Sequence, residues 1–399
     1  MTRDTFPATR NAGLLRLTQF APRAGHAYAS GRNTDPGPDQ VGAVSMLSPY
    51  LRYRMITEQE VVGATLGQHS LPAAEKYVQE VLWRTYWKGW LEMRPSIWDQ
   101  YIQECDRQRD SFPNARAIRS AEAGETGIEG FDDWARELVE TGYLHNHARM
   151  WFASIWIFTL RLPWSLGADF FLRHLVDADA ASNTLSWRWV AGLQTVGKTY
   201  LATSENIARY TNGRFAPKGL ATTAAMPAET PMCAVQPLPQ AVSVDTQKPS
   251  FLLVTTEDLN PESAFGASAK IKGAGIFFDT DTLWGDNACS FVAGAAKDAA
   301  GRVENYFKCP TKLQDNLDAA SLITQAREAG AEQIITAYAP VGPVADALAR
   351  IAPVLALEGI PLVQIRRAWD EHFWPHATKG FFPFKERIPN ILKEMGLSR

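Results

Sequence analysis

Four short segments of this 399-residue chain combine charged, aromatic and hydroxyl side chains at spacings suited to a planar, anionic ligand. In Glu80-Val-Leu-Trp83-Arg84, spacings of three and four put Glu80, Trp83 and Arg84 on one helix face. A carboxylate there accepts hydrogen bonds, an indole stacks and a guanidinium neutralises an anion. The plainer alternative is a surface ion pair between Glu80 and Arg84 beside a core Trp. In Tyr143-Leu-His145-Asn146-His147-Ala-Arg149-Met150, Asn146, Arg149 and Met150 share a face. His145 and His147 stand two apart and diverge on a helix, so no metal is expected; the bland reading is a helix start with polar caps. In Asp177-Ala-Asp179-Ala-Ala-Ser-Asn183-Thr-Leu-Ser-Trp187-Arg-Trp189, two acids two apart suit pairing with arginine, or simply a helix N-cap. Glycosidase chemistry would need a second carboxylate site. Finally, Ser45, Leu47 and Ser48 precede Pro49, a helix-start arrangement whose free N–H groups and hydroxyls can hold phosphate.

These segments need a scaffold, and the residues up to about Phe215 read as helical. Glu75–Met93 has apolar residues at Tyr77, Val78, Val81, Leu82, Tyr86 and Trp90, close to a 3.6 period. Phe131–Glu140 reads as a further helix. Gly142–Leu160 is apolar on nearly every side, as a helix in the middle of a domain is, and Pro163 ends it; Leu166–Leu175 resumes the pattern. Residues 216–249 are rich in Ala, Thr and Pro and read as a linker or a surface-hugging segment. Beyond them, short apolar runs (Phe251–Thr255, Gly275–Phe278, Gln333–Ala337, Pro361–Ile365) alternate with helical patterns (Ala319–Ala329, Val344–Leu357), the signature of a parallel sheet covered by helices. The expected organisation is a helical domain over 1–215, a linker over 216–249 and an α/β domain over 250–399.

Composition narrows the function. Hydrophobic residues make up 46% and charged residues 21%, which is ordinary globular composition. The net charge of -3 requires any nucleic-acid contact to use a local basic surface. Four scattered cysteines without a CxxC argue against a zinc ribbon, a clustered iron–sulfur site and a disulfide framework. No GxGxxG or GxxxxGK[ST] signals a standard phosphate loop. No run of eighteen apolar residues occurs and Met1–Arg10 has no signal-peptide core, so a cytoplasmic, membrane-free location is expected. Of 13 Trp, ten lie between Trp83 and Trp189, which suits either an aromatic core or a site that stacks rings or carries electrons.

Taken in order, SMLSPYLR (Ser45–Arg52), EVLWRTYW (Glu80–Trp87), ETG…FDDW (Glu125–Trp134), TGYLHNHARM (Thr141–Met150) and DADAASNTLSWRWVAG (Asp177–Gly192) resemble the flavin-binding helical domain of the cryptochrome/photolyase family. The resemblance covers roughly residues 25–195. It implies non-covalent FAD, with Tyr28, Ser45, Leu47 and Ser48 holding the pyrophosphate. Tyr77, Arg84, Asn146, Arg149, Asp177 and Asp179 would line the cofactor, Arg149 would pair with Asp177, and Asn183 would face flavin N5. Trp187 and Trp164 match two members of an electron-transfer chain. Glu80, Trp83, Asn146, Met150 and Trp189 match the catalytic pocket for a flipped-out pyrimidine dimer.

The implied function is light-driven splitting of cyclobutane pyrimidine dimers in UV-damaged single- or double-stranded DNA by electron transfer from reduced flavin, by a monomer. The second reading is a cryptochrome-like blue-light photosensor without repair; a third is a flavoprotein with neither role. Asn146, in a position where a histidine acid serves the (6-4) type, favours the cyclobutane type. Three departures stand out. Phe112 occupies the place of the outer chain tryptophan, so electrons are expected to stop short or leave through Trp156 or Trp134. His147 replaces an arginine and is expected to weaken phosphate binding unless protonated. The ending Ile360–Pro389 resembles the exit of the family's antenna domain, so that α/β domain is expected C-terminally, as in a circularly rearranged member.

Overall fold

The structure is a computed structural model that describes residues 5–228, 233–266, 269–279 and 283–398. Helices dominate up to Tyr210, and a five-stranded sheet begins at Ser250. The long helix Leu71–Glu92 is the spine of the helical part. Pro72 sits in its first turn, where the missing N–H costs nothing, and Tyr77, Val78, Val81, Leu82, Tyr86 and Trp90 are buried as their spacing predicts. Lys88, Gly89 and Glu92 are buried too, because a second layer of chain covers the other face of its last turns. Gly89 permits this: a Cβ there would lie 2.9 Å from the backbone of Trp374.

The continuous helix expected over Gly142–Leu160 is divided. Gly142, at φ +67°, closes the Phe131–Thr141 helix in the left-handed conformation. A new helix then runs over Asn146–Ser154 with His145 as its cap, followed by one π turn over Ile155–Thr159. Trp164–His174 and Ala180–Val190 complete the walls around the spine. From 216 to 249, no described residue is helix or strand. This segment hugs the surface: Ala221 N donates to Thr159 Oγ1 and Gln236 N to the Met93 carbonyl.

Five parallel strands, β1 (Ser250–Thr255), β2 (Ile271–Phe277), β3 (Thr311–Gln314), β4 (Gln333–Ala337) and β5 (Leu362–Ile365), are arranged β3-β2-β1-β4-β5. Four match the apolar runs. β3 (TKLQ) has no such run; it is a short edge strand that needs only one neighbour, so charge is tolerated there. The 22-residue helix Asp286–Phe307 was also unforeseen, since its buried stripe consists largely of Ala288, Ala295, Ala296 and Ala299. Phe251 and Leu253 pack with Leu348, Ile351 and Leu355 on one face of the sheet. Leu252, Val254 and Ile276 face the Asp286–Phe307 helix and join the core of the helical part. Burial on both faces explains the unbroken apolar runs. After β5 the chain returns to the spine helix, where Trp369 Nε1 donates to Thr85 Oγ1 at 3.0 Å and Trp374 covers Gly89.

Candidate functional site

A cavity of about 430 Å³ opens between the spine helix, the Ser48–Arg52 helix and the helices that begin at Asn146 and Ala180. Its lining brings together Tyr28, Ser45, Leu47, Ser48, Tyr77, Glu80, Trp83, Arg84, Asn146, Arg149, Met150, Asp177, Asp179, Asn183, Trp187 and Trp189. Of the sequence-predicted site residues only Trp164 is absent from this wall; it lies behind, buried against Tyr101 at a ring separation of 5.7 Å. The size falls within the usual range for small-molecule and cofactor sites.

Two ion pairs line the cavity, their acids both on the segment Asp177–Asp179. Arg84 pairs with Asp179 rather than with Glu80, so the simple surface pair between neighbours on the helix is not formed. Asp179 also caps the Ala180–Val190 helix by accepting from Ser182 N at 2.8 Å. Burial alone would raise its carboxyl, but the charges of Arg84, Lys88 and Arg52 outweigh it and bring the pKa to about 2. Arg149 Nη2 donates to Asp177 at 3.0 Å and its Nε to the Leu144 carbonyl at 2.9 Å. Here too burial is outweighed, by Arg149, and Asp177 is held below the ordinary carboxylate range. Both acids are therefore ionised at neutral pH. Arg84 and Arg149 keep side-chain exposures of 14% and 23%, leaving donors available on the cavity side.

Glu80 differs from these acids. Burial raises its carboxyl, only partly offset by the charges of Arg32 and Lys76; Arg32 Nε stands 3.8 Å away and the side chain remains 40% exposed. It thus holds a proton more readily than an ordinary glutamate, and a carboxyl can donate when protonated and accept when ionised. Asn183 Nδ2 donates to the Ala168 carbonyl at 2.8 Å, which fixes the amide. Trp187 is 2% exposed and packs edge-on against Phe171 and Trp156, with ring centroids 5.0 and 6.3 Å away. Gly167 makes that packing possible, since a Cβ there would lie 2.4 Å from the Trp187 ring. Ser182 Oγ and Trp187 Nε1 are among the buried polar atoms of lining residues that have no hydrogen-bond partner within the protein.

The aromatic wall has a supporting ring outside the lining that sequence reasoning missed. Phe381 lies flat on Trp83, with centroids 3.7 Å apart and planes 11° apart. It arrives from the segment after β5, so nothing near Trp83 in the chain announces it; the run Phe381-Phe382-Pro383-Phe384 is the one available signal. Trp189 stacks on Tyr200 at 5.8 Å. His147 turns out not to line the cavity. Its ring stacks on Trp151 at 4.1 Å, its Nδ1 lies 2.9 Å from the Asn33 carbonyl, and burial lowers its pKa, so it is a neutral packing residue.

Residues 77–225 match the family model of the FAD binding domain of DNA photolyase. A deoxyribodipyrimidine photo-lyase from Streptomyces griseus is 37% identical over 154 residues, 38% of this chain and 33% of that protein. Another, from Synechococcus, is 33% identical over 190 residues, 45% of this chain and 38% of that protein. Among solved structures, a bacterial class III photolyase from Agrobacterium tumefaciens aligns with a TM-score of 0.46 and 27% identity, covering 53% of this chain and 44% of that one. The chain thus spans well under half the length of these curated relatives. No helix among the described residues is long and apolar enough to cross a membrane.

Proposed function

We propose that the helical part, which carries the FAD-binding domain of the cryptochrome/DNA photolyase family, holds FAD in the 430 Å³ cavity and splits cyclobutane pyrimidine dimers in UV-damaged DNA. The observation that carries this reading is one wall shared by two kinds of group. Paired arginines and aspartates that keep donors free (Arg84 with Asp179, Arg149 with Asp177) suit a charged, hydrogen-bonding cofactor. Glu80, Trp83, Met150 and Trp189 suit a second, stackable and imide-bearing ligand beside it. The donor set fits FAD: Ser45, Ser48 and Tyr28 would serve the pyrophosphate, and Ser182 Oγ and Trp187 Nε1 are polar atoms that still lack partners. When bound, FAD supplies a light-absorbing one-electron donor.

The chain's own residues do the positioning. Trp83, stacked on Phe381, and Trp189, stacked on Tyr200, form walls whose rings are braced by these contacts. Glu80, with its carboxyl raised by burial, donates to a carbonyl of the dimer when protonated and accepts from an imide N–H when ionised. Trp187, directly on the cavity, is the proximal donor for photoreduction, and Trp156 at 6.3 Å offers it a neighbour. Arg and Lys on the surrounding surface supply most DNA affinity through phosphates. The α/β part follows the helical part along the chain, and we read this as a rearranged order relative to the family.

A photosensor without repair is the second reading, favoured by Phe112 at the place of the outer tryptophan. Irradiating purified, fully reduced protein with dimer-containing single- and double-stranded DNA separates the two. Light-dependent dimer loss is expected. Its absence on both substrates would leave the photosensor.

A further inference from the structure

We propose that the α/β part maintains the shape of the flavin site, with Glu257 as the counter-ion of Arg52 and Arg52 as the clamp on the segment presenting Asp177 and Asp179. This rests on reading the cavity as a flavin site. Ala178 lies between the two aspartates, and its carbonyl accepts from Arg52 Nε at 2.8 Å. Arg52 Nη2 donates in turn to Glu257 Oε1 at 2.8 Å, and Lys88 Nζ stands 3.7 Å from the other oxygen of Glu257. The three side chains are 3%, 7% and 3% exposed.

Each cation belongs to a cavity wall. Arg52 ends the short helix whose start carries Ser45, Leu47 and Ser48, and Lys88 follows Arg84 by one turn of the spine helix. Glu257 belongs to the other half of the molecule, just past β1 at its carboxyl end. In the order β3-β2-β1-β4-β5, the chain reverses direction between β1 and β4. Open parallel sheets bind ligands in the crevice at such a point. Here Arg52, Lys88 and the turn Pro340–Pro343 close that crevice down to about 10 Å³, room for about one water. The helical part has therefore inserted its own cations where a sheet ligand would lie, and Glu257 receives them.

Removing the Glu257 charge would leave Arg52 and Lys88 with Asp179 as the remaining carboxylate lining that small crevice. Lys88 has no hydrogen-bond partner for its ammonium, so no existing hydrogen bond holds it in place. Both cations already act on Asp179 alongside Arg84. They would compete with Arg84 for it and pull on the Ala178 carbonyl less firmly. Glu257 is thus a positioning residue that touches no ligand.

The test is FAD affinity of the full chain, read by equilibrium titration and by visible circular dichroism of the bound flavin. Glu257→Gln is expected to weaken FAD by about tenfold, equivalent to about 1.4 kcal/mol. The charge-balanced double variant Glu257→Gln with Lys88→Met is expected to recover affinity to within about threefold, a rescue that lost packing would not give. Glu92→Gln is the control, because Glu92 also joins the two parts, accepting from Tyr338 Oη at 2.7 Å and Val341 N at 2.6 Å, away from the cavity. It should lower Tm and leave FAD affinity unchanged. Wild-type affinity in Glu257→Gln, no rescue in the double variant, or equal FAD loss in Glu92→Gln would each overturn the proposal. A wild-type chain that binds no FAD would instead overturn the reading of the cavity itself. Should Glu257→Gln fail to fold, Glu257→Asp keeps the charge but retracts it, and wild-type FAD affinity and dichroism in that variant would count against the clamp.

Discussion

The helical cavity and the joint between the two parts both collect buried charge, and they treat it in opposite ways. In the cavity, the two arginine–aspartate pairs keep donors exposed to an opening of about 430 Å³, the one arginine paired with Glu80 stands 3.8 Å away, and polar atoms such as Ser182 Oγ and Trp187 Nε1 lack partners. At the joint, Arg54 faces Asp370 at 2.6 Å, with Glu58 and Asp258 within 4 Å, and Arg367 grips Asp258 with two bonds of 2.5 and 2.8 Å. All of these side chains are at most 10% exposed. A cluster closed on itself by ion pairs, even with Arg54 Nε left without a hydrogen bond, fixes how two surfaces meet, because removing any one member strands a buried charge. An unsaturated cluster facing open space is waiting for a ligand.

The largest effect should come from breaking a pair on the cavity wall. Asp179→Ala or Arg149→Ala is expected to abolish flavin retention, since each leaves a buried partner uncompensated at a cost on the order of 3–5 kcal/mol. The ratio of flavin to protein absorbance after purification reads this directly. Full retention in both variants would place the cofactor elsewhere and remove the contrast with the joint.

Next in size is Trp187→Phe. The indole is buried beside the cavity, and phenylalanine fills most of its space without a comparable donor. Light-driven reduction of oxidised flavin in the presence of reductant should disappear, while flavin content stays near wild type. Unchanged photoreduction would make Trp187 a packing residue like Trp151.

The parts of this contrast legible in the sequence are those that act within one turn. Glu80, Trp83 and Arg84 line one wall because 3.6 residues per turn put them there, and Asn146, Arg149 and Met150 follow the same rule. The cap formed by Asp179 was equally local. What escaped is non-local. Phe381 lies 298 positions from Trp83, and Glu257 lies 205 from Arg52, so neither contact leaves a periodic signal. β3 escaped because an edge strand can be polar, and the place of His147 escaped because its neighbour Asn146 faces the cavity while it turns toward Trp151. Spacing identifies which face a residue shares, and only the fold decides what that face meets.

A smaller, graded effect is expected for Glu80→Ala: about ten- to hundredfold slower dimer repair, with flavin content and DNA affinity near wild type. One positioned polar contact in a reacting complex is worth on the order of 1–3 kcal/mol. Single-turnover repair under saturating light measures it. A loss of flavin instead of repair rate would assign Glu80 to the cofactor rather than to the dimer.

The smallest effect tests whether a poorly paired carboxylate must mark a ligand site. Glu137 lies on the Phe131–Thr141 helix, outside the cavity lining. Burial, reinforced by the negative charge of Asp35 and only partly opposed by Arg214, pushes its carboxyl up to about 7. The folded protein therefore holds this proton more tightly than the unfolded chain, whose glutamates ionise near pH 4.3. Stability contributed by the protonated form is full below that value and falls as pH rises toward about 7, beyond which the ionised group carries its whole cost. Glu137→Gln removes the charge and keeps the shape. It should raise Tm at pH 8, where the ionised group carries that cost, and change it little at pH 4. Flavin affinity should stay unchanged at both pH values, because the carboxylate faces no cavity. Equal Tm effects at the two pH values would remove the burial argument for Glu137. A change in flavin affinity would mean that unsaturated charge bears on the cavity even from outside it, and the contrast with the closed joint would then rest on the open space alone.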